Sequence, residues 1–174
     1  MDSPPKLVLF EQCILPHLDA AYNLARWLTR NEHDAEDVVQ EAYLRAYRFF
    51  DSFNGGDGKA WLLAVVRNTC LTWRRREQGI ATVPFDESTH SPGEAVTAET
   101  KLVEQAQWGN VRDCLESLPL EFREVLAMRE LEEMPYRDIA VVTSLPIGTV
   151  MSRLSRARRR LQDCVTGRMK GVAQ

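Results

Sequence analysis

The chain has 174 residues, a length that suits one ordinary domain or two small ones. Hydrophobic residues make up 44% of it, which permits packed cores, and no apolar run approaches the roughly 20 residues that cross a bilayer. The net charge of -3 argues at first against nucleic-acid binding, but the charge is segmented. Residues 147–174 contain seven basic groups and one acid, whereas residues 79–107 contain one basic group and five acids.

The N-terminal sequence MDSPPKLVLF has an acid before its only base and a very short apolar run. It does not resemble a secretory signal, so the cytoplasm is the expected location. In that reducing compartment the four cysteines, with no CxxC pair, are predicted to be separate packing residues or bystanders: Cys13, Cys70, Cys114 and Cys164. Cys13 and His17 could begin a zinc site, but no second pair accompanies them, so no metal or other cofactor is expected.

Three helical segments are predicted in the first domain, residues 7–78. Residues 7–30 form a helix that is broken near Pro16, and Asp34 is predicted to cap a second helix that ends at about Phe50. The third runs from Ala60 to about Gln78, after a glycine-rich loop at residues 51–59. The inward-facing residues of the last two helices are Ala35, Val38, Val39, Ala42, Ala46 and Phe49, then Trp61, Leu62, Val65, Val66, Thr69 and Trp73.

Two features of this domain each have two interpretations. Five acids between Glu32 and Glu41, with no base among them, form either a solubilising surface or a docking face for a basic partner. The third helix combines tryptophans with a basic cluster, which suits single-stranded DNA, although Trp61 and Trp73 are better explained as core residues. The glycine-rich loop allows close backbone approach, but it lacks the GxxxxGK[ST] pattern of a phosphate-binding loop.

Residues 79–107 are predicted to be a flexible acidic linker whose last part can already be helical. The second domain, residues 108–166, begins with helices at residues 108–118 and 121–132. The second of these is predicted to bury Phe122, Val125, Leu126, Met128 and Leu131. No strand-length alternation is present, so the fold class is all-α, with two small helical domains joined by a linker.

The end of the second domain has the pattern of a helix-turn-helix. Residues 136–143 form a short helix with Ile139 and Ala140 inward, and Ser144–Leu145–Pro146 separate it from a longer basic helix. The apolar stripe of that helix is Ile147, Val150, Leu154, Ala157 and Leu161. Its opposite face carries Thr149, Ser152, Arg156, Arg159 and Arg160, flanked by Arg153. A basic face alone is often only solvated surface, but the helix-turn-helix context favours DNA binding in the major groove.

These segments resemble a known family. The stretch LESLPLEFREVLAMRELEEMPYRDIAVVTSLPIGTVMSRLSRARRRL is similar to region 4 of bacterial sigma factors of the extracytoplasmic-function (ECF) group. The stretches LARWLTRNEHDAEDVVQEAYLRAYRFFDSF and AWLLAVVRNTCLTWRRR resemble region 2 of the same group. The two similarities follow in the family's order, and the linker lies where larger sigma factors carry an extra domain.

The resemblance implies a protein that binds core RNA polymerase, through the clamp helices of its largest subunit and its flap region, and directs it to promoters of stress or envelope-response genes. It implies core-binding roles for Asp37, Gln40 and Glu41. It further implies minus-10 contacts by Asn54, Asn68, Arg74 and Arg75, with residues 53–58 bordering a pocket for a flipped base. It implies minus-35 contacts by Thr149, Ser152, Arg153 and Arg156.

The same resemblance implies an anti-sigma factor as a regulatory partner, no enzymatic activity and no direct insertion into a membrane. Two positions depart from the family pattern: Met151 replaces a usual Lys or Arg, and Pro135 replaces a frequent Ser or Thr cap. The alternative is a helix-turn-helix regulator that does not act through polymerase. That alternative accounts for the second domain equally well, but it does not account for the acidic face.

Overall fold

A computed structural model describes residues 5–79 and 101–172, with side chains at residues 5–79 and 108–168. All the regular secondary structure in these residues is helical, which confirms the all-α fold. The α-helices are α1 (Lys6–Cys13), α2 (Leu18–Thr29), α3 (Glu32–Phe49), α4 (Gly58–Glu77), α5 (Lys101–Ser117), α6 (Leu120–Leu126), α7 (Tyr136–Thr143) and α8 (Ile147–Val172). None of the helices described is both long and apolar enough to cross a membrane.

Helices α1 to α4 form the N-terminal bundle, in which α2, α3 and α4 pack on one another. The predicted break near Pro16 is confirmed, since a 3₁₀ turn at Leu15–His17 separates α1 from α2. A second 3₁₀ turn, Phe50–Ser52, follows α3. The core contains apolar side chains from α2, α3 and α4, the largest of which are Leu24, Leu28, Val38, Leu62, Leu63 and Val66.

The predicted start of α3 is wrong by three residues. Asn31, not Asp34, caps the helix: its side-chain oxygen accepts hydrogen bonds from the backbone amides of His33 and Asp34, at 2.8 and 3.2 Å. Arg30 ends α2 in the left-handed conformation, with φ of 63°, and this turns the chain sharply enough for α3 to begin at once. At the other end Phe49 is exposed rather than inward, because Phe50 in the following turn takes the buried place.

Helices α5 to α8 form the C-terminal bundle, in which α5, α6 and α7 all contact α8. Helix α5 begins at Lys101, inside the span predicted to be a linker. This start lies in the last part of that span, which was predicted to be able to form a helix. A π-helical turn at Ala127–Leu131 follows α6. A π turn adds a residue to the helical repeat, so Leu131 rotates outward and is half exposed instead of buried. Ile147 is also half exposed, against prediction, because it occupies the first position of α8.

The two bundles are docked on each other, an arrangement that the sequence did not predict. Helix α4 packs against α7, and α2 packs against α6. Polar contacts also cross the boundary: the Lys59 ammonium lies 2.9 Å from the carbonyl oxygen of Glu132 and 3.2 Å from its carboxylate. The Arg26 guanidinium lies 3.5 Å from the Glu116 carboxylate.

The prediction that the cysteines are separate is wrong for two of them. Cys114 and Cys164 form a disulfide with a Cα–Cα distance of 5.8 Å, because α5 and α8 lie side by side although 50 residues separate the cysteines. Cys13 and Cys70 are free thiols. Among the described residues no group of three or more His, Cys, Asp or Glu side chains could hold a metal, and Cys13 with His17 gains no further ligand.

Candidate nucleic-acid and protein interfaces

Helices α7 and α8 and the turn between them have helix-turn-helix geometry. Ser144 ends α7 in the left-handed conformation, with φ of 56°, and the carbonyl of Pro146 accepts the first amide hydrogen bonds of α8. Val150, Leu154 and Ala157 are buried against the rest of the bundle. The remaining face of α8 therefore points outward from a fixed base. Pro135 precedes α7 and gives it no side-chain cap, as its lack of a side-chain oxygen requires.

The outward face of α8 has a small polar centre. Ser152 and Arg156 are exposed and Thr149 is half-buried, with the Ser152 hydroxyl donating to the Thr149 carbonyl at 3.0 Å. Arg156 makes no ion pair with any side chain that the structure describes. Met151, which replaces a usual Lys or Arg, is half exposed on the same turn of α8. Its side chain presents an apolar surface instead of a positive charge. This face can offer a hydroxyl and a guanidinium to a base edge or a phosphate.

Two other basic residues of α8 are engaged within the bundle. The Arg158 guanidinium donates to the Glu130 carboxylate at 2.9 and 2.6 Å, and these hydrogen bonds raise the pKa of Arg158 above its ordinary value. The Arg160 guanidinium lies over the Phe122 ring, 4.9 Å from its centroid. The basic surface of α8 is therefore smaller than its composition suggests.

Arg153 points toward the domain boundary rather than away from the bundle. Its side chain is only 25% exposed, and its guanidinium nitrogens lie 3.6 Å from Glu124 and 4.0 Å from Glu121. The family resemblance implies a minus-35 contact by Arg153, together with Thr149, Ser152 and Arg156. In the docked arrangement it is instead held beside two carboxylates.

A cleft of about 350 Å³ lies at this boundary. Arg67 and Arg74 of α4 and Arg153 of α8 line it, together with Glu121 and Glu124 of α6. The Glu124 side chain is only 2% exposed, and it accepts two hydrogen bonds from the Arg67 guanidinium, at 2.6 and 3.2 Å. Burial lowers the pKa of Arg74 from its ordinary value. The cleft thus brings together side chains that the sequence assigned to two different promoter elements.

Beside this cleft Arg123 is buried with incomplete partners. It is 1% exposed, and one terminal nitrogen donates to the carbonyls of Glu116 and Leu118, both at 3.0 Å. Its Nε and other terminal nitrogen have no hydrogen-bond partner among the described residues. Burial, reinforced by the nearby charges of Arg30 and Arg74, lowers the pKa of Arg123 to about 9. At neutral pH the guanidinium stays charged, and a buried cation with too few partners opposes docking.

The acidic face of α3 is only partly available. Asp37 and Gln40 are exposed, whereas Glu41 is half-buried and forms ion pairs with Arg45 on the same helix and with Arg76 of α4, the latter at 3.6 Å. Arg45 and Arg76 lie outside the acidic run, so the run itself did not reveal that Glu41 has basic partners. Asp37 and Gln40 remain accessible to a partner.

The residues predicted to contact the minus-10 element differ in accessibility. Asn54, Asn68 and Arg75 are exposed, and the spacing of seven puts Asn68 and Arg75 on one face of α4, whereas Arg74 lines the cleft. Phe53, in the loop with Asn54, packs on Phe50 and Trp61 with ring centroids 5.6 and 5.4 Å apart. The core interpretation of Trp61 is therefore supported, and the loop is anchored at its start.

The loop is also fixed at its end by Gly58, where α4 begins. A Cβ at this position would clash with the carbonyl oxygen of Cys13, whereas a Cβ at Gly56 would meet nothing within 4 Å. We expect Gly58→Ala to destabilise the protein by about 1–3 kcal/mol, because backbone has to move to accommodate the methyl group. Gly56→Ala is the matched control and should be close to neutral. Thermal unfolding of both variants tests this, and equal midpoints would contradict the close packing.

Comparison with known proteins gives matches at both ends of the chain. The family described as Sigma-70 region 2 matches residues 13–80, and the family described as Sigma-70, region 4 matches residues 108–161. The ECF RNA polymerase sigma factor SigE of Mycolicibacterium smegmatis is 30% identical over 166 residues, which cover 95% of this chain and 65% of that protein. The chain therefore spans just under two thirds of that relative.

Two further similarities cover more of the matched protein. The ECF RNA polymerase sigma-E factor of Haemophilus influenzae is 32% identical over 149 residues, which cover 80% of this chain and 78% of that protein. Among solved structures, the sigma factor RpoE of Bartonella quintana, in complex with the anti-sigma factor NepR, superposes with a TM-score of 0.69. That comparison has 28% sequence identity and covers 90% of this chain and 96% of that one.

Proposed function

This chain belongs to the ECF group of the sigma-70 family, and we propose that it is an alternative sigma factor that delivers core RNA polymerase to a specific set of promoters. The observation that carries the proposal is that the region 2 and region 4 matches occur in order. The first match covers α2–α4 of the N-terminal bundle, and the second covers α6, α7 and most of α5 and α8. The role requires binding surfaces and no catalytic residues, and its place of action is the cytoplasm, where polymerase works.

In this proposal residues 7–78 bind core polymerase and the minus-10 element. Asp37 and Gln40 contact the clamp helices of the largest subunit. Glu41 joins this contact once its ion pairs with Arg45 and Arg76 are broken. Asn54, Asn68 and Arg75 are already exposed for the displaced DNA strand, in keeping with the basic groups that such a strand needs. Residues 79–107 connect this domain to residues 108–166, which bind the flap region and the minus-35 element.

Promoter binding in this scheme requires the two domains to separate. The minus-10 and minus-35 elements are roughly 25 base pairs apart by their names, and at 3.4 Å per base pair that distance is about 85 Å. Arg74 and Arg153, proposed to contact different elements, line one cleft in the docked arrangement. The docked form therefore cannot engage both elements at once, and we interpret it as the form that is not bound to a promoter.

An anti-sigma factor is the partner that would favour the docked form. The similar RpoE structure, which superposes over both domains, contains its anti-sigma factor NepR. By the same logic, a protein that binds across both bundles of this chain would stabilise the docked form and keep it from polymerase. Affinity purification from stressed and unstressed cells tests for this partner. Recovery of no stoichiometric protein under either condition would reject it.

Run-off transcription with purified core polymerase and a promoter library tests the main proposal. The expected result is a set of transcripts that share one pair of promoter elements and that require the added protein. A helix-turn-helix regulator would instead bind DNA without polymerase and would yield no new start sites. Core binding and a folded state without any specific transcript would overturn the sigma-factor proposal.

Arg156→Ala is expected to weaken binding to the minus-35 element by about 1–3 kcal/mol, because an exposed guanidinium on the reading face makes a base or phosphate contact. Arg158→Ala is the matched control. It removes the same charge two residues further along α8, from a side chain that is already held by Glu130. Fluorescence anisotropy with a minus-35 duplex measures both. Unchanged affinity in Arg156→Ala would mean that another face of α8 enters the groove.

A further inference from the structure

The disulfide between Cys114 and Cys164 links α5, the first helix of the C-terminal bundle, to α8, its last helix. Cys114 is fully buried on α5, whereas Cys164 is half-buried on α8. Among the side chains that the structure describes on these two helices, the ion pair between them is the exposed one of Asp113 with Arg168, at 3.0 Å. Exposed ion pairs contribute little to stability. The covalent bond is therefore the strong connection between α5 and the distal half of α8.

The chain segment closed by this bond includes all the helices that are proposed to bind the minus-35 element. Residues 114 to 164 enclose α6, α7 and most of α8, and thus the entire helix-turn-helix. A cross-link restricts the unfolded chain, and it does so more strongly as the enclosed loop becomes longer. A bundle of about 60 residues has a small core and is marginally stable. Loss of the bond should therefore lower the folded fraction of this domain in particular.

We propose that Cys114 and Cys164 are a reversible dithiol–disulfide couple, oxidised by low-molecular-weight disulfides, that sets the stability of the minus-35-binding domain. The link to DNA binding rests on the function proposed above. In the cytoplasm expected for that function, disulfides are usually transient or regulatory. A bond placed here accordingly acts as a switch whose oxidised form holds the reading helix in place.

The chemistry is thiol–disulfide exchange in two steps. The more accessible thiolate, Cys164, attacks a sulfur of oxidised glutathione, forming a mixed disulfide and releasing one glutathione thiolate. The Cys114 thiolate then attacks the Cys164 sulfur and releases the second glutathione thiolate. The protein dithiol loses two electrons and two protons, and one glutathione disulfide becomes two glutathione thiols. Reduction by excess thiol reverses both steps.

The remaining cysteines do not form a competing couple. Cys70 is buried, and this burial raises the pKa of its thiol to about 12, so it stays protonated and poorly nucleophilic at neutral pH. Cys13 is half-buried on the N-terminal bundle. A Cys13→Ser background therefore isolates the Cys114–Cys164 couple for measurement.

The test equilibrates the full-length Cys13→Ser protein in glutathione buffers of graded redox ratio. Thiol alkylation and mass measurement should show one reversible two-electron transition at Cys114 and Cys164. The oxidised protein should have a C-terminal unfolding midpoint at least about 5 °C above that of the reduced protein. At a temperature between the two midpoints, reduction should lower affinity for a minus-35 duplex roughly tenfold, in proportion to the folded fraction.

Cys164→Ser is the control that cannot form the bond. It should melt like the reduced parent and show no response to the redox buffer. Free thiols at both Cys114 and Cys164 in every buffer, or equal midpoints for the oxidised and reduced parent, would overturn the proposal even if Cys164→Ser failed to fold. Core binding and run-off transcription are measured alongside. Their failure with a normal redox transition would reject the sigma-factor function and the coupling to DNA, while the couple itself would stand.

Discussion

Glu124→Gln is expected to shift the protein from the docked arrangement to one with separated domains. The Glu124 carboxylate is almost fully buried, and its two hydrogen bonds from Arg67 cross the domain boundary. Glutamine keeps the volume of the side chain but removes its negative charge. The positive charges of Arg67, Arg153 and Arg123 are then less well balanced by nearby carboxylates. Removing one partner of a buried ion pair costs about 3–5 kcal/mol, enough to change the docking equilibrium by at least roughly 100-fold.

Small-angle X-ray scattering measures this change. The radius of gyration should rise above the roughly 16 Å of a compact chain of this length. Glu130→Gln is the matched control, because the Glu130–Arg158 pair is half exposed and lies within the C-terminal bundle. It should leave the radius unchanged. The double variant Arg67→Gln with Glu124→Gln should recover part of the docking, since it also removes the Arg67 charge that Glu124→Gln leaves unpaired. An unchanged radius in folded Glu124→Gln would show that apolar packing alone holds the domains together.

Asp37→Lys is expected to reduce binding to core RNA polymerase by at least roughly 100-fold. The exposed carboxylate lies on the acidic face of α3 that is proposed to meet basic clamp helices, and like charges placed together at an interface cost several kcal/mol. Binding to an isolated minus-35 duplex should be unchanged, because that contact is made by the other domain. Titration of labelled protein with core polymerase at two salt concentrations provides the measurement.

Glu11→Lys controls for the charge change. Glu11 is an exposed acid on α1 outside the acidic face, and its reversal alters the net charge by the same amount. It should bind core polymerase like the parent protein. The thermal unfolding of both variants has to match first, since a lysine in the N-terminal half of α3 also opposes the helix dipole. Normal core binding by a folded Asp37→Lys protein would remove the acidic face from the proposed interface.

The docked arrangement and the disulfide suggest two separate levels of control. The first acts on the domain boundary, where Glu124 favours docking and the incompletely paired Arg123 opposes it. The second acts within the C-terminal bundle through Cys114 and Cys164. They can be separated experimentally, because Glu124→Gln should change the shape of the protein without changing its redox transition.

Local sequence patterns were enough to predict the helices and the exposed faces that follow from helical periodicity. The first helix of the helix-turn-helix was predicted with its correct limits, residues 136–143, and the short break that separates it from the basic helix was predicted as well. The exposure of Ser152 and Arg156 followed from the apolar stripe on the opposite face. The family resemblance rests on the same local patterns, and the matches at residues 13–80 and 108–161 confirm it.

Which residues on those faces remain available depends on the packing of helices that are distant in the chain. Arg123 and Glu124 are not part of the predicted apolar stripe of their helix, yet both are almost fully buried. Arg153, which was predicted to flank the polar face of α8, lies beside carboxylates. The π turn that exposes Leu131 and the pairing of Glu41 with Arg76 likewise depend on neighbouring helices. Cys114 and Cys164 are 50 residues apart, and no local pattern could pair them. The physical reason is common to all of these cases: each depends on contacts between segments distant in the chain, whereas a sequence pattern reports the preferences of neighbours.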